Sequence, residues 1–155
     1  MVLAWPDDYN LPRLPSIATH ELHHNVRLAF EPWTAGTTVG QYIVLEGLAE
    51  AFAAEMVGED LLGPWPTALT EEQLEEVRPT FRDALEVSGF DEIRGYVFGD
   101  WAASSPAYAE RGLPDFAGYA VGYRMVREYL DRTGITAAEA TYVPWREIVE
   151  GSRYL

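Results

Sequence analysis

The stretch IATHELHHN, at positions 17–25, decides how the rest of this chain is interpreted. It contains all three histidines of the protein, and His20, Glu21 and His24 form the pattern His-Glu-x-x-His. On a helix, residues four apart lie on one face about one turn apart, so two imidazoles can reach one metal ion. The intervening glutamate then lies beside the position of a metal-bound water. The stretch therefore predicts a helix that carries two metal ligands and a general base.

Capping signals on either side of this motif predict two long helices. The first should begin near Pro15 or Ser16, with Ser16 as its cap, and run to about Phe30. The second should run from about Thr38 to Val57 and end at a glycine. Because residues 39–57 are apolar nearly all round, this second helix should be buried.

The remaining residues predict shorter helices and irregular segments. Helices are expected over residues 71–87, with a kink or break at Pro79, over residues 116–132, after Thr136, and over residues 145–150. Residues 88–114 should form a long loop with short helical pieces, and residues 2–5 a short strand. The sequence thus predicts a mainly α fold with little or no sheet.

A third metal ligand can be sought by comparing heights on the two long helices. If these helices form an antiparallel hairpin, residues equally far from the turn lie level. His24 and Glu46 are each about 11 Å from the turn, at a rise of about 1.5 Å per residue. Glu46 is therefore the predicted third ligand, with Glu50 as its substitute. Alternatively, Glu50 could accept a hydrogen bond from the second nitrogen of a liganding histidine.

Other interpretations of the motif are possible. The histidines could lie on a solvated helix face without any metal. A di-iron bundle would need a second Glu-x-x-His motif on another helix, and the chain has no further histidine to supply one. The longer zinc pattern would need a glycine and a histidine where Arg27 and Phe30 stand. A site of two histidines and one glutamate is therefore the favoured interpretation.

Three further residues can be considered for the site. His23 could contact the ligands or the substrate, but a plain surface position is at least equally expected. Tyr119 and Tyr123 lie four apart on a predicted helix, where a hydroxyl could stabilise the oxyanion formed when water attacks an amide. Aromatic packing, aided by the small Gly118 and Gly122, is the alternative role for either tyrosine.

Composition restricts the partners. The chain of 155 residues has 25 acidic and 11 basic residues, a net charge of −14, and no cysteine. A surface this acidic repels nucleic acids and anionic membranes, so neither is expected as a partner. The absence of cysteine excludes thiolate zinc sites and disulfides. Since we find neither a signal-peptide pattern nor a membrane-length apolar run, we expect one cytoplasmic domain over residues 1–155.

Three segments together resemble a known family: HELHH at 20–24, LEGLAE at 45–50 and GYAVGY at 118–123. They resemble the bacterial predicted Zn-dependent proteases of the YjaZ-like group, a domain of unknown function, over about residues 16–152. The resemblance implies a zincin-like, gluzincin-type (HExxH…E) core, with Zn²⁺ bound by His20, His24 and Glu46. Glu21 would be the base, and Glu50 would support a histidine. The implied function is a zinc metallopeptidase that hydrolyses a peptide or protein substrate with a metal-activated water.

A second interpretation concerns the absence of an obvious substrate groove. Zincin-like peptidases usually carry a sheet before the metal helix, and its edge strand binds the substrate backbone. Only about fifteen residues precede that helix in this sequence. The alternative expectation is a non-catalytic binding module that zinc stabilises.

Overall fold

The computed structural model describes residues 5–105 and 108–155, and helices account for most of this part of the chain. The α-helices are α1 (Leu14–Phe30), α2 (Val39–Val57), α3 (Glu71–Ala84), α4 (Phe90–Phe98), α5 (Ala117–Thr133), α6 (Ala137–Ala140) and α7 (Trp145–Ser152). Short 3-10 turns lie at Leu11–Arg13, Glu59–Leu61, Trp65–Thr67 and Gly99–Ser104. Within the described residues, the β pairing is a single isolated bridge between Thr38 and Ser88. The predicted mainly α fold is confirmed.

Helix α2 lies at the centre of the molecule. It begins where the Thr38 side chain accepts a hydrogen bond from the Gln41 N–H, and it ends at Gly58, as the sequence predicted. Its apolar side chains, such as Ile43 and Leu48, are fully buried, because α1 packs on one side of it and α5 on another. A helix that is apolar nearly all round is stable only in such surroundings.

Two glycines allow α5 to approach α2 at backbone distance. A Cβ atom added to Gly47 would lie 2.3 Å from the carbonyl oxygen of Gly122, and one added to Gly122 would lie 2.1 Å from that of Ile43. Any side chain at either position would force the two helices apart. This close contact sets where the tyrosines of α5 lie relative to α2.

Helices α1 and α2 run antiparallel, as predicted. His20, early in α1, approaches Glu50, late in α2, to 3.2 Å. Leu28, near the end of α1, shares a small cavity with Tyr42 at the start of α2. Glu46 and Glu50 of α2 therefore face His20 and His24 of α1.

A buried polar network fixes the orientation of α1. His23 and Arg27 are only 2% and 1% exposed. Nε2 of His23 lies 3.1 Å from the Thr141 hydroxyl, which itself donates to the Ala137 carbonyl, so His23 carries its proton on Nε2. Arg27 donates to the carbonyl oxygens of Thr141 and Val143. Of the alternatives considered for His23, the plain surface position is therefore wrong, because Phe52 of α2 and the distant Thr141 both pack against it.

Four expectations about local structure need comment. Ser16 does not cap α1, because the helix begins at Leu14 and Ser16 is buried within its first turn. Helix α3 runs through Pro79 without a break and ends at Ala84, three residues early. The predicted loop at 88–114 contains a nine-residue helix, α4. The predicted strand at 2–5 falls almost entirely outside the described residues.

None of the helices in the described ranges combines the length and the apolar character that a bilayer crossing would require.

Candidate metal centre

Three predicted ligand residues meet between α1 and α2. Nε2 of His20 lies 3.3 Å from Oε2 of Glu46, and Nε2 of His24 lies 3.5 Å from the same oxygen. One ligand atom from each residue can be chosen so that all three lie within 4.8 Å of one another. In a tetrahedral zinc site, bonds of about 2.05 Å separate neighbouring ligand atoms by about 3.3 Å. The two histidine–glutamate separations therefore match the spacing of neighbouring ligands around a zinc ion.

The hydrogen bonding of the cluster also fits a metal. Oε2 of Glu46 is buried and accepts no well-oriented hydrogen bond, although two imidazoles lie close to it. A buried carboxylate oxygen without a partner is costly, and such groups are rare in folded proteins. Two imidazoles and one carboxylate form a donor set that catalytic zinc sites use. The residues present thus fit zinc in spacing, burial and chemistry.

The electrostatics of this cluster favour a protonated imidazole beside an ionised carboxylate. Burial acts to lower the pKa of His20, but Glu46 and Glu50 outweigh it and raise that pKa to about 10. Burial acts to raise the pKa of Glu46, but His20 and His24 outweigh it and lower that pKa to about 2. A protonated imidazole therefore faces an ionised carboxylate, and a metal ion would compete with that proton.

Glu50 and Trp65 lie behind His20. Glu50 is 2% exposed, and its Oε1 lies 3.2 Å from Nδ1 of His20. The same oxygen accepts a 2.7 Å hydrogen bond from the indole N–H of Trp65. Glu50 can thus hold the proton on Nδ1 and leave Nε2 of His20 for a metal. The sequence suggested this placement for Glu50, but nothing in it pointed to Trp65, which lies 15 residues further along the chain.

The cluster opens into a cleft of about 500 Å³. Glu21 is exposed on one of its walls, and Tyr119 lines another. Burial and the charge of Glu46 hold the pKa of the Tyr119 hydroxyl above its ordinary value, so this group stays protonated. The structure therefore brings Glu21 and Tyr119 together with the three candidate ligands. It also adds Tyr42, one turn before Glu46 on α2, which a search at helical spacing around Glu46 could have found.

Tyr123 lies elsewhere. Its hydroxyl donates to Glu59 at 3.2 Å, and it lines a separate cavity of about 630 Å³ with Arg124 and Arg127. None of the three candidate ligands lines that cavity, so its larger volume does not make it the candidate site. The prediction that either tyrosine could serve the site is thus corrected to Tyr119 alone, since the next turn of α5 carries Tyr123 away from the cleft.

The fold and the cluster together define a helical protein in which two histidines and one glutamate on an antiparallel helix pair could hold a metal ion. Residues 1–150 match the model of the family described as "Predicted Zn-dependent protease (DUF2268)", and the chain belongs to that family. The resemblance seen in the three sequence segments is thereby confirmed.

Two relatives from Bacillus subtilis (strain 168) are similar to this chain. It is 44% identical over 145 residues to the uncharacterized protein YjfC and 27% identical over 145 residues to the uncharacterized protein YjaZ. Each match covers 93% of this chain, but 48% of YjfC and 52% of YjaZ. The chain thus spans about half the length of the curated relatives it matches. No solved structure matches it.

Proposed function

We propose that this protein is a zinc-dependent metallopeptidase of the gluzincin type, with a zincin-like core. His20, His24 and Glu46 would hold the metal. The observation that carries the proposal is the spacing of 3.3 and 3.5 Å between the imidazole nitrogens and the otherwise unpartnered Oε2 of Glu46. Zinc bound at such a site supplies a Lewis acid and lowers the pKa of a water ligand to about 7.

The residues of the cleft supply the remaining roles. Glu21 is solvent-exposed beside the ligands, where it can accept a proton from the attacking water and pass it to the leaving amine. Tyr119 keeps its proton and can donate a hydrogen bond to the oxyanion that develops on the scissile carbonyl. Glu50, held by Trp65, keeps the His20 ring in the orientation that presents Nε2. The substrate is a peptide or a protein.

The proposal is tested with zinc analysis and a Glu21→Gln variant. Purified protein should carry about one zinc ion per chain, and Glu21→Gln should retain it while hydrolysis of a peptide library falls at least about 100-fold. Glu72→Gln, at an exposed position of α3, is the matched control and should keep full activity. If Glu21→Gln stays active, Glu21 is not the base.

A non-catalytic binding module stabilised by zinc is the second candidate. It is favoured by one observation: within the described residues no β-strand flanks the cleft, so none offers an edge to a substrate backbone. In that case a chelator would lower the thermal stability, and no peptide would be cut. Zinc-dependent cleavage at a defined bond would exclude this candidate.

A further inference from the structure

A second, smaller cavity adjoins the cleft at the proposed catalytic base. It has a volume of about 140 Å³, and it shares His20, Glu21 and Tyr119 with the cleft. Along α1 the smaller cavity extends from Ser16 to Glu21, and the cleft extends from His20 to Leu28. Glu21 therefore lies where two cavities meet along one helix.

The combined length suits a short peptide. Ile17 and Leu28, at the two ends, are eleven positions apart, which is about 16 Å at a rise of about 1.5 Å per residue. An extended chain advances about 3.3 Å per residue, so the two cavities together hold about five residues. Glu21 lies nearer to Ile17, so about two of these residues fall on the side of the smaller cavity.

The walls of the smaller cavity are partly apolar, and the apolar part is firmly held. Ile17, Trp65 and Tyr119 form that part, and the remaining lining residues are Ser16, His20, Glu21, Glu50 and Gly63. The Trp65 ring is fixed by its hydrogen bond to Glu50, and it packs so tightly on Gly63 that a Cβ atom there would lie 2.4 Å from the ring. A cavity of about 150 Å³ holds one benzene ring, so this space accepts one apolar side chain but not an indole.

The cleft on the other side of Glu21 is larger, and it combines the polar candidate ligands with aromatic side chains. Trp33 and Tyr42 line it with their rings edge to face, 5.1 Å apart between centroids. Leu28 and Leu45 complete its apolar surface. Such walls suit a large aromatic side chain, since edge-to-face and stacked ring pairs add to the gain from burial.

Apart from His20, the charged side chains around both cavities are carboxylates. Glu21, Glu46 and Glu50 face them, and no arginine is among the described residues that line either cavity. The two histidines, His20 and His24, are the remaining titratable groups besides the tyrosines. An acidic substrate residue here would meet carboxylates without a compensating arginine.

We infer that the two cavities are subsites on either side of the scissile bond. The smaller takes one aliphatic side chain, the larger takes an aromatic one, and both disfavour acidic residues. This inference rests on the proposed peptidase function and names its substrate class.

The test uses acetylated hexa-alanine amides in which each position in turn is Leu, Trp or Asp, with cleavage sites located by mass spectrometry. At the position that enters the smaller cavity, Leu should be cut about tenfold faster than Trp. At the position on the other side of the cut bond, which enters the larger cleft, Trp should be accepted. Asp at either of these two positions should slow cleavage about tenfold. Ile17→Ala should bring Trp to within about twofold of Leu at the first position only.

Leu22→Ala is the matched control, because Leu22 is 59% exposed and lines neither cavity; it should leave the profile unchanged. A flat profile in an active enzyme, or discrimination against Trp that persists in Ile17→Ala, would overturn the inference and leave the peptidase function standing.

If no peptide is cut, calorimetry of the same peptides with the zinc-loaded protein tests the inference instead. Tighter binding of the Leu and Trp peptides than of the Asp peptides supports the groove without catalysis, whereas equal or absent binding overturns it.

Discussion

Replacing Glu46 should abolish the stabilisation that zinc confers, whereas replacing Glu55 on the same helix should not. Glu46 is 4% exposed and points its unpartnered Oε2 at two imidazoles. Glu55 is exposed, and both its oxygens accept the Ala137 N–H, at 2.9 and 3.0 Å. Glu46→Gln and Glu55→Gln thus make the same chemical change inside and outside the cluster.

The size of the effect follows from linkage. At a free zinc concentration 100 times the Kd of the native protein, binding stabilises the fold by about 2.7 kcal/mol. For a chain of this size that raises Tm by roughly 5–11 °C. Loss of a residue that hydrogen-bonds to a metal ligand weakens metal affinity about 10–100-fold. Loss of a ligand itself should therefore weaken zinc affinity at least about 100-fold. Zinc at the same concentration should then stabilise the Glu46→Gln variant by at most about 0.4 kcal/mol.

The assay is thermal unfolding of each protein with a chelator and with buffered zinc. The quantity compared is the increment in Tm, because Glu55→Gln also replaces the charged acceptor of the Ala137 N–H by a neutral one and lowers the baseline itself. Glu55→Gln should keep the native increment, and Glu46→Gln should keep almost none. Equal increments in the two variants would refute the assignment of Glu46 as a ligand and the argument from helix heights that led to it.

Three further predictions concern the surroundings of the cluster. Trp65→Phe removes the indole donor to Glu50 and should weaken zinc binding about tenfold in a chelator competition assay. Trp101→Phe is the control and should leave zinc affinity unchanged. Equal affinities in the two variants would show that Trp65 does not support the metal site through Glu50. Arg27→Met should lower the free energy of unfolding by about 3 kcal/mol in urea titrations, because it breaks the ion pair with Glu31 and two hydrogen bonds to carbonyl oxygens. Arg146→Met, which removes an exposed ion pair, is the control and should change that free energy far less. In zinc-free protein, His20 has a pKa raised from 6.5 to about 10, so its contribution to stability is complete below pH 6.5 and is lost as the pH rises toward 10. Burial lowers the pKa of His23 from 6.5 to about 3, and that of Glu46 is lowered from 4.5 to about 2, so both contributions are lost as the pH falls. The zinc-free protein should therefore be most stable near pH 6.5. Urea midpoints that stay constant from pH 6.5 to 10 would contradict the raised pKa of His20.

Local signals were sufficient to predict most helices. The capping boxes that open at Thr70 and Thr136 depend on hydrogen bonds within three residues, and both form at the start of helices that the sequence predicted. The end of α3 was not predictable in this way. The carbonyl oxygens of Leu85 and Val87 accept the first N–H groups of α2, so a distant part of the chain ends the helix early.

The relation between His24 and Glu46 was predictable because it depends only on helix rise and on the position of one turn. The choice between Tyr119 and Tyr123 was not, because both lie on one face of α5. That choice is made by the height at which α5 crosses α2, which the Gly47–Gly122 contact sets. No pattern within α5 carries this information.

The orientation of α1 shows why the His-Glu-x-x-His motif alone does not make a metal site. His-Glu-x-x-His places two imidazoles on one face of α1, but it does not say which way that face points. The rotation of α1 is set by His23 and Arg27, whose partners Thr141 and Val143 lie between α6 and α7. With these two side chains buried on one side, His20 and His24 face Glu46 and Glu21 stays in solvent. The two candidate histidine ligands are thus encoded in one short stretch, whereas contacts that turn them toward Glu46 come from residues more than a hundred positions away.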